Sequence, residues 1–184
     1  IMVSVDFAEI ERLTFQDDWE GIGQQMACAT KELEAAGAEM IILCTNTIHL
    51  VSNYIKAASP LPFLHIADAT GKAIQAQGLQ KVALLGTRFT MEKEFYSQLL
   101  KEQYGITTII PELAGREALQ HMIYDEMVKG TFTDEARHNC EQMVADLETK
   151  GAQGVILGCT ELPILLEKSQ LPIPAFNTTQ LHAW

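Results

Sequence analysis

Short continuous apolar runs alternate along this chain with longer stretches in which apolar side chains return every three or four positions. Runs of the first kind are MVSVDF (2–7), MIILC (40–44), FLHIA (63–67), KVALLG (81–86), TTIIP (107–111) and GVILG (154–158). Their length, their β-branched content and the Gly and Pro that bound them predict parallel strands buried on both faces. Stretches of the second kind predict three helices. One covers 18–36 and stops at Gly37, one covers 90–103 between a Thr90 cap and Gly105, and one covers 134–150 between a Thr133 cap and Gly151. Strand-type and helix-type segments that alternate from end to end imply an α/β fold with a mainly parallel sheet.

The pattern also repeats. ELEAAGAEMIILCTNT (32–47) aligns without gaps on DLETKGAQGVILGCTE (146–161), pairing Leu33 with Leu147, Glu34 with Glu148, Gly37 with Gly151, Ala38 with Ala152, Ile42 with Ile156 and Leu43 with Leu157. Each copy then runs on to a Leu-Pro, at 61–62 and 171–172. A helix–Gly–strand–loop unit present twice points to duplication, and two such lobes facing each other bring both strand ends to one cleft. In parallel α/β sheets the residues just beyond the strand carboxyl ends line the ligand crevice. At those ends Thr45 falls on Cys159, Asn46 on Thr160 and Thr47 on Glu161, whereas Cys44 falls on Gly158, one place earlier. Neighbouring strand residues point to opposite faces, so Thr45 rather than Cys44 is the counterpart of Cys159.

Composition narrows the partner. A net charge of −11 argues against a phosphate-backbone ligand, which needs clustered Lys and Arg. No apolar run approaches the roughly 20 residues of a membrane span, and the first residues lack a signal-peptide pattern. The cysteines at 28, 44, 140 and 159 have neither zinc-ligand nor disulfide-framework spacing, which fits a reducing cytoplasm. The chain opens on Ile1 without an initiator Met and stops at Trp184, just after FNTTQ, and is therefore expected to be part of a longer protein.

The strand-end loops carry a resemblance. Asn46-Thr47 in the first half and Gly158-Cys159-Thr160-Glu161 in the second, with HIADAT (65–70), VALLGT (82–87) and GAQGVILGCTELPIL (151–165), resemble the aspartate/glutamate racemase family over essentially the whole chain. The resemblance is closest to the members acting on aspartate and glutamate. It implies two pseudo-symmetric α/β lobes, 1–62 with 177–184 and 63–176, and an active site in the cleft between them. It also implies racemisation of a small acidic amino acid without metal or pyridoxal cofactor, and a homodimer. In that family two cysteines flank Cα; one removes the α-proton and the other delivers a proton to the opposite face. The cysteine of the second half faces the α-hydrogen of the L isomer.

Carried over position by position, Cys159 is that second-half cysteine, and Thr45 stands where the family has its first. A thiol ionises near pH 8.5, and lower beside a helix N-terminus, so a thiolate base is accessible near neutrality. An alcohol is a far weaker acid. Cys159 is thus expected to be the main acid and base, with Thr45 its unequal partner. Asn46, Thr47, Thr160 and Glu161 are expected to bind substrate. Thr14, with Gln16, falls in the loop after the first strand, where the family holds the distal carboxylate, and Arg12 lies nearby. The Gly-rich loop that lines the family's pocket would precede Ile1.

Plainer readings accompany each of these. Cys159 can be an ordinary buried thiol, and Cys28, Cys44 and Cys140 packing or structural thiols. Asn46, Thr47 and Thr160 can serve as helix caps, and Glu161 as a first-turn carboxylate favoured by the helix dipole or as a ligand for the substrate amino group. His49, one turn past Thr45, and His65 read as structural, and Lys129 as a solvated lysine. Related cysteine-bearing clefts occur in maleate isomerase, hydantoin racemase and arylmalonate decarboxylase, the last of which needs only one protonating cysteine. A non-catalytic binder of acidic amino acids is the alternative outside enzymes.

Overall fold

Asp6 starts a helix where the apolar pattern predicts a strand. In the computed structural model, which describes residues 1–184, residues 1–6 lie outside any regular element and are largely exposed. Asp6 Oδ1 accepts from the Ala8 N–H at 2.9 Å, and α1 (Phe7–Phe15) follows. A strand satisfies its backbone groups only through a neighbour, whereas a capping Asp followed by Ile10 and Leu13 at helical spacing satisfies them locally.

The chain divides into two units, one of residues 1–44 and 48–65, the other of 45–47 and 66–184. The first unit continues with α2 (Trp19–Ala35), capped by Asp18, then β1 (Ile41–Ile42), a short 3-10 turn and α3 (Ser52–Ala58). It closes with β2 (Phe63–Leu64), which runs parallel to β1 with Ile41 opposite Phe63. Ile10, Leu13, Ile22, Met26, Ile41 and Ile55 are among the side chains of its core. The apolar run 63–67 is cut short, because Ile66 and Ala67 open α4 (Ile66–Ala76).

The second unit is built on one parallel sheet. β3 (Lys81–Gly86), β4 (Thr107–Ile109), β5 (Val155–Gly158) and β6 (Ala175–Asn177) lie in the order β4-β3-β5-β6. The two central strands are covered on both faces: Val82, Leu84, Leu85, Val155 and Ile156 are wholly buried, as a parallel sheet of this kind requires. Around it stand α5 (Arg88–Glu92), α6 (Glu94–Tyr104), α7 (Leu113–His121), α8 (Asp134–Thr149), α9 (Leu162–Leu165) and α10 (Thr178–Ala183), with a π-helical turn at Met122–Glu126 after α7. The helix expected over 90–103 is two helices, since Lys93 is extended, and its cap is Thr87, whose Oγ1 accepts from the Thr90 N–H. Residues 177–184, assigned above to the first lobe, sit with the second, where α10 packs on α4, β5 and β6. No helix is long and apolar enough to cross a membrane.

The sequence repeat has a backbone counterpart. Gly37 and Gly151 both take left-handed φ, at 88° and 92°, in a region that costs a side chain strain. The helix exits around them are hydrogen-bonded alike: Ala38 N–H to Leu33 O and Ala152 N–H to Leu147 O, each 3.0 Å. At the other end of α8, Thr133 Oγ1 accepts from the Ala136 N–H at 3.0 Å. Thr133→Ala is expected to cost about 1 kcal/mol in urea denaturation, and Thr133→Ser to restore most of it; equal stability for all three would show that the cap contributes nothing.

At the carboxyl ends of β3 and β5, Gly86 is paired with Gly158. A Cβ on Gly86 would lie 2.8 Å from Gly158 O, and one on Gly158 would lie 2.9 Å from Leu85 O. Only glycine permits this approach, and the residue after each glycine, Thr87 or Cys159, is delivered to the same end of the sheet.

Candidate active site

The carboxyl ends of β3 and β5 gather most of the expected residues, and the segment 45–47 joins them in the second unit. Cys159, one place past Gly158, is buried, 7% exposed, and its Sγ donates to Glu161 Oε2 at 2.8 Å. Thr160 is exposed and donates its hydroxyl to the same oxygen at 2.8 Å. Glu161 is half-buried at the N-cap of α9 but makes no side-chain cap bond; its carboxylate is turned toward Cys159 and Thr160 instead. Burial first, then the charge of Glu161 and the hydrogen bond to it, push the Cys159 thiol well above its ordinary range. The N–H groups of Glu161 and Leu162 oppose this only in part. The direction is opposite to the lowering that a helix N-terminus alone would bring.

Asn46 and Thr47 are buried and neither caps a helix in the simple way. Asn46 Nδ2 donates to Thr178 Oγ1 at 3.0 Å, and Thr178 Oγ1 donates to Leu157 O at 2.9 Å, which ties Asn46 to β5. The remaining polar atom, Asn46 Oδ1, is buried with no hydrogen-bond partner. Buried acceptors are nearly always satisfied, so this one marks where a donor belongs. Thr47 Oγ1 lies 2.8 Å from Thr87 Oγ1 and 3.1 Å from Thr90 Oγ1, and those two are 3.2 Å apart. Three buried hydroxyls thereby lock the 45–47 loop to the start of α5. Thr45, between the exposed Cys44 and the buried Asn46, is half-buried.

Thr14 is placed otherwise. It lies on α1 in the first unit, not in a loop, and its buried hydroxyl donates to Ile10 O at 2.7 Å. Arg12 is engaged along the same helix, holding Glu9 with two bonds of 2.9 and 2.7 Å and Gln16 Oε1 at 2.6 Å. Lys129 is exposed beside Asp125. His49 and His65 are buried in the first unit, rings 4.4 Å apart at 64°, each also against Phe63. Cys140 is buried, which pushes its thiol up to about 12. Cys28 and Cys44 are exposed, contrary to the packing and structural roles expected of them, because the first sits on the outer face of α2 and the second just past the two-residue β1.

Thr87, Thr90 and Thr178 are the site residues that the sequence reading leaves out. A signal for Thr87 exists: both strands end in a Gly, and the residue after Gly86 is Thr87 where the residue after Gly158 is Cys159. Thr178 carries none, since it lies 132 residues from Asn46.

Comparison with known proteins follows the same lines. The Asp/Glu/hydantoin racemase family model matches residues 3–184. The chain is 45% identical to a candidate Asp/Glu racemase from Yersinia pestis, with a TM-score of 0.90, covering 100% of this chain and 80% of that one. An aspartate racemase homologue from Pyrococcus horikoshii OT3 is 33% identical with a TM-score of 0.82, covering 99% and 79%. A glutamate racemase from Shewanella loihica is 25% identical over 131 residues, which are 71% of this chain and 47% of that protein. The chain thus spans about half the length of this curated relative.

Proposed function

The chain belongs to the Asp/Glu/hydantoin racemase family, and from that membership we propose that it racemises an acidic amino acid, aspartate or glutamate, by removing and returning the proton at Cα. The observation that supports this most is the pairing of Cys159 with an acceptor carboxylate at the end of β5, while the buried, unpartnered Asn46 Oδ1 is anchored to the same strand through Thr178. Cys159 is the main acid and base, and Thr45 is its weaker partner on the other face of Cα. Asn46 Oδ1 accepts from the substrate ammonium. Thr160 and Glu161, at the exposed rim of Cys159, and Thr47, through the loop it locks, complete the binding set. Thr14 is left out of this reading, since its hydroxyl is committed to the Ile10 carbonyl.

Incubation with each enantiomer of aspartate and glutamate in deuterium oxide, without added cofactor, tests the proposal. Deuterium should enter Cα of at least one of them, and activity should survive dialysis against EDTA and hydroxylamine. Inactivation by hydroxylamine, which traps a pyridoxal aldehyde, would overturn it. Carbon dioxide release from an arylmalonate with no exchange from amino acids would instead favour a decarboxylase.

The unequal pair makes a finer prediction. With a thiol facing the α-hydrogen of the L isomer and a hydroxyl facing that of the D isomer, the L isomer should exchange faster. The margin should approach the hundredfold that a positioned proton-transfer group supplies. Free enantiomers have equal energies, so the end point stays racemic; the difference lies in exchange rates alone. Thr45→Cys should raise D-isomer exchange more than L-isomer exchange. Equal rates in the unmodified protein would rule out this account of Thr45.

A further inference from the structure

Glu161 is placed to act on two partners at once. One of its oxygens, Oε2, accepts from both the Cys159 thiol and the Thr160 hydroxyl at 2.8 Å, and the residue is half-buried, so a ligand can still reach the carboxylate. We propose that Glu161 keeps Cys159 a thiol in the free protein and releases it when the positively charged amino group of the substrate pairs with the same carboxylate. The amino acid thereby switches on the base that will act on it. This rests on the racemisation reading above.

The geometry carries the argument. If the thiol ionises while Glu161 is unpaired, a thiolate and a carboxylate stand at hydrogen-bond distance in a half-buried place, with no proton between them. Glu161 is the charged side chain that bears on Cys159, and the groups that act the other way are the N–H dipoles of Glu161 and Leu162. Docking a cation on the carboxylate offsets that repulsion and leaves burial, the larger cause, in place. An opposite charge within about 4–6 Å moves an ionisation by about one to three pH units. With the ammonium in place, the thiol proton passes along the hydrogen bond to Oε2 and on to water, and its electron pair stays on sulfur. The thiolate then takes the proton from Cα, whose bonding pair stays on Cα and spreads into the α-carboxylate. A proton arriving from the opposite face completes the inversion.

The substrate class follows. A malonate, a maleate or an N-acylated amino acid brings carboxylates but no cation, leaves Glu161 uncompensated and keeps Cys159 protonated. Only a free α-amino acid unlocks the site.

Two measurements test this. In the free protein, the pH dependence of iodoacetamide alkylation at Cys159 is read by peptide mass spectrometry, which separates it from the exposed Cys28 and Cys44. Glu161→Gln should lower the pH of half-maximal alkylation by about one to three units; an unchanged profile overturns the proposal. In the wild type, the ascending limb of kcat for L-isomer exchange, which reports the bound state, should lie below that of kcat/KM, which reports the free one. The two limbs should draw together in Glu161→Gln. A Glu161 that merely holds the ammonium would raise KM and leave their spacing intact, and that result overturns the proposal. Exchange from N-acetyl-L-aspartate as fast as from L-aspartate does so too, and needs no variant. An alkylation shift without exchange from any amino acid would bring down the racemisation reading and the unlocking step with it, while leaving the thiol–carboxylate restraint in place.

Discussion

Cys159→Ser should lower turnover with L-aspartate or L-glutamate by at least about a hundredfold, the contribution of a positioned proton-transfer group. The substitution changes little else. A serine hydroxyl can still donate to Glu161 Oε2, the bond Cys159 makes now, and the buried position stays filled. Urea denaturation of the variant should therefore resemble that of the wild type, which assigns the loss to chemistry rather than folding. Cys44→Ser, at an exposed thiol one residue before Thr45, should change turnover little. A larger loss from Cys44 than from Cys159 would show that the strand-end assignment is off by one residue and that the wrong sulfur has been placed in the reaction.

Gly158→Ala, like Gly86→Ala, should be a strongly damaging small substitution at the site. Its methyl group would meet Leu85 O at 2.9 Å and Leu84 Cδ1 at 3.3 Å, and the carbonyl belongs to the neighbouring strand, which cannot rotate away as a side chain can. Overpacking of this kind costs about 1–3 kcal/mol. The denaturation midpoint should fall with its slope unchanged. Activity should fall as well, because Cys159 is the next residue and moves with the strand. A midpoint equal to that of the wild type would mean that β3 and β5 part more easily than their paired glycines suggest.

The parts of the fold that were legible share one physical trait: their environment is the same along their length. β3 is buried on both faces from Val82 to Gly86, so its apolar run has the boundaries of the strand itself. α8 carries its own cap at Thr133 and its own stop at Gly151, and both signals are local. The run 2–7 is not a strand because an apolar run becomes one only beside a partner, and Asp6 offers the backbone a helix instead. β6 has three residues, too few for any period, and its neighbour β5 decides it. The site divides in the same way. Cys159 and the 45–47 loop were legible as strand ends, whereas the partners of Asn46 and Thr47 were not, because Thr178 and Thr87 are far away in the chain. The upward push on the Cys159 thiol was not legible for a different reason: a cysteine's ordinary ionisation says nothing about burial or about a carboxylate two residues on that folds back onto it.

The bond between Asn46 and Thr178 spans 132 residues, and this gives the protein a characteristic order of events at birth. Chains are synthesised at about 5–20 residues per second, so Asn46 emerges about 7–26 seconds before the threonine that will hold it. During that interval β3 can form, and Thr87 can begin to fix Thr47, but the side chain of Asn46 has nothing to donate to. Loop closure over such a distance is slow, and contacts of high sequence separation tend to form late. The amide of Asn46 is therefore expected to be set only after α10 docks, as the final act of folding rather than part of its nucleus.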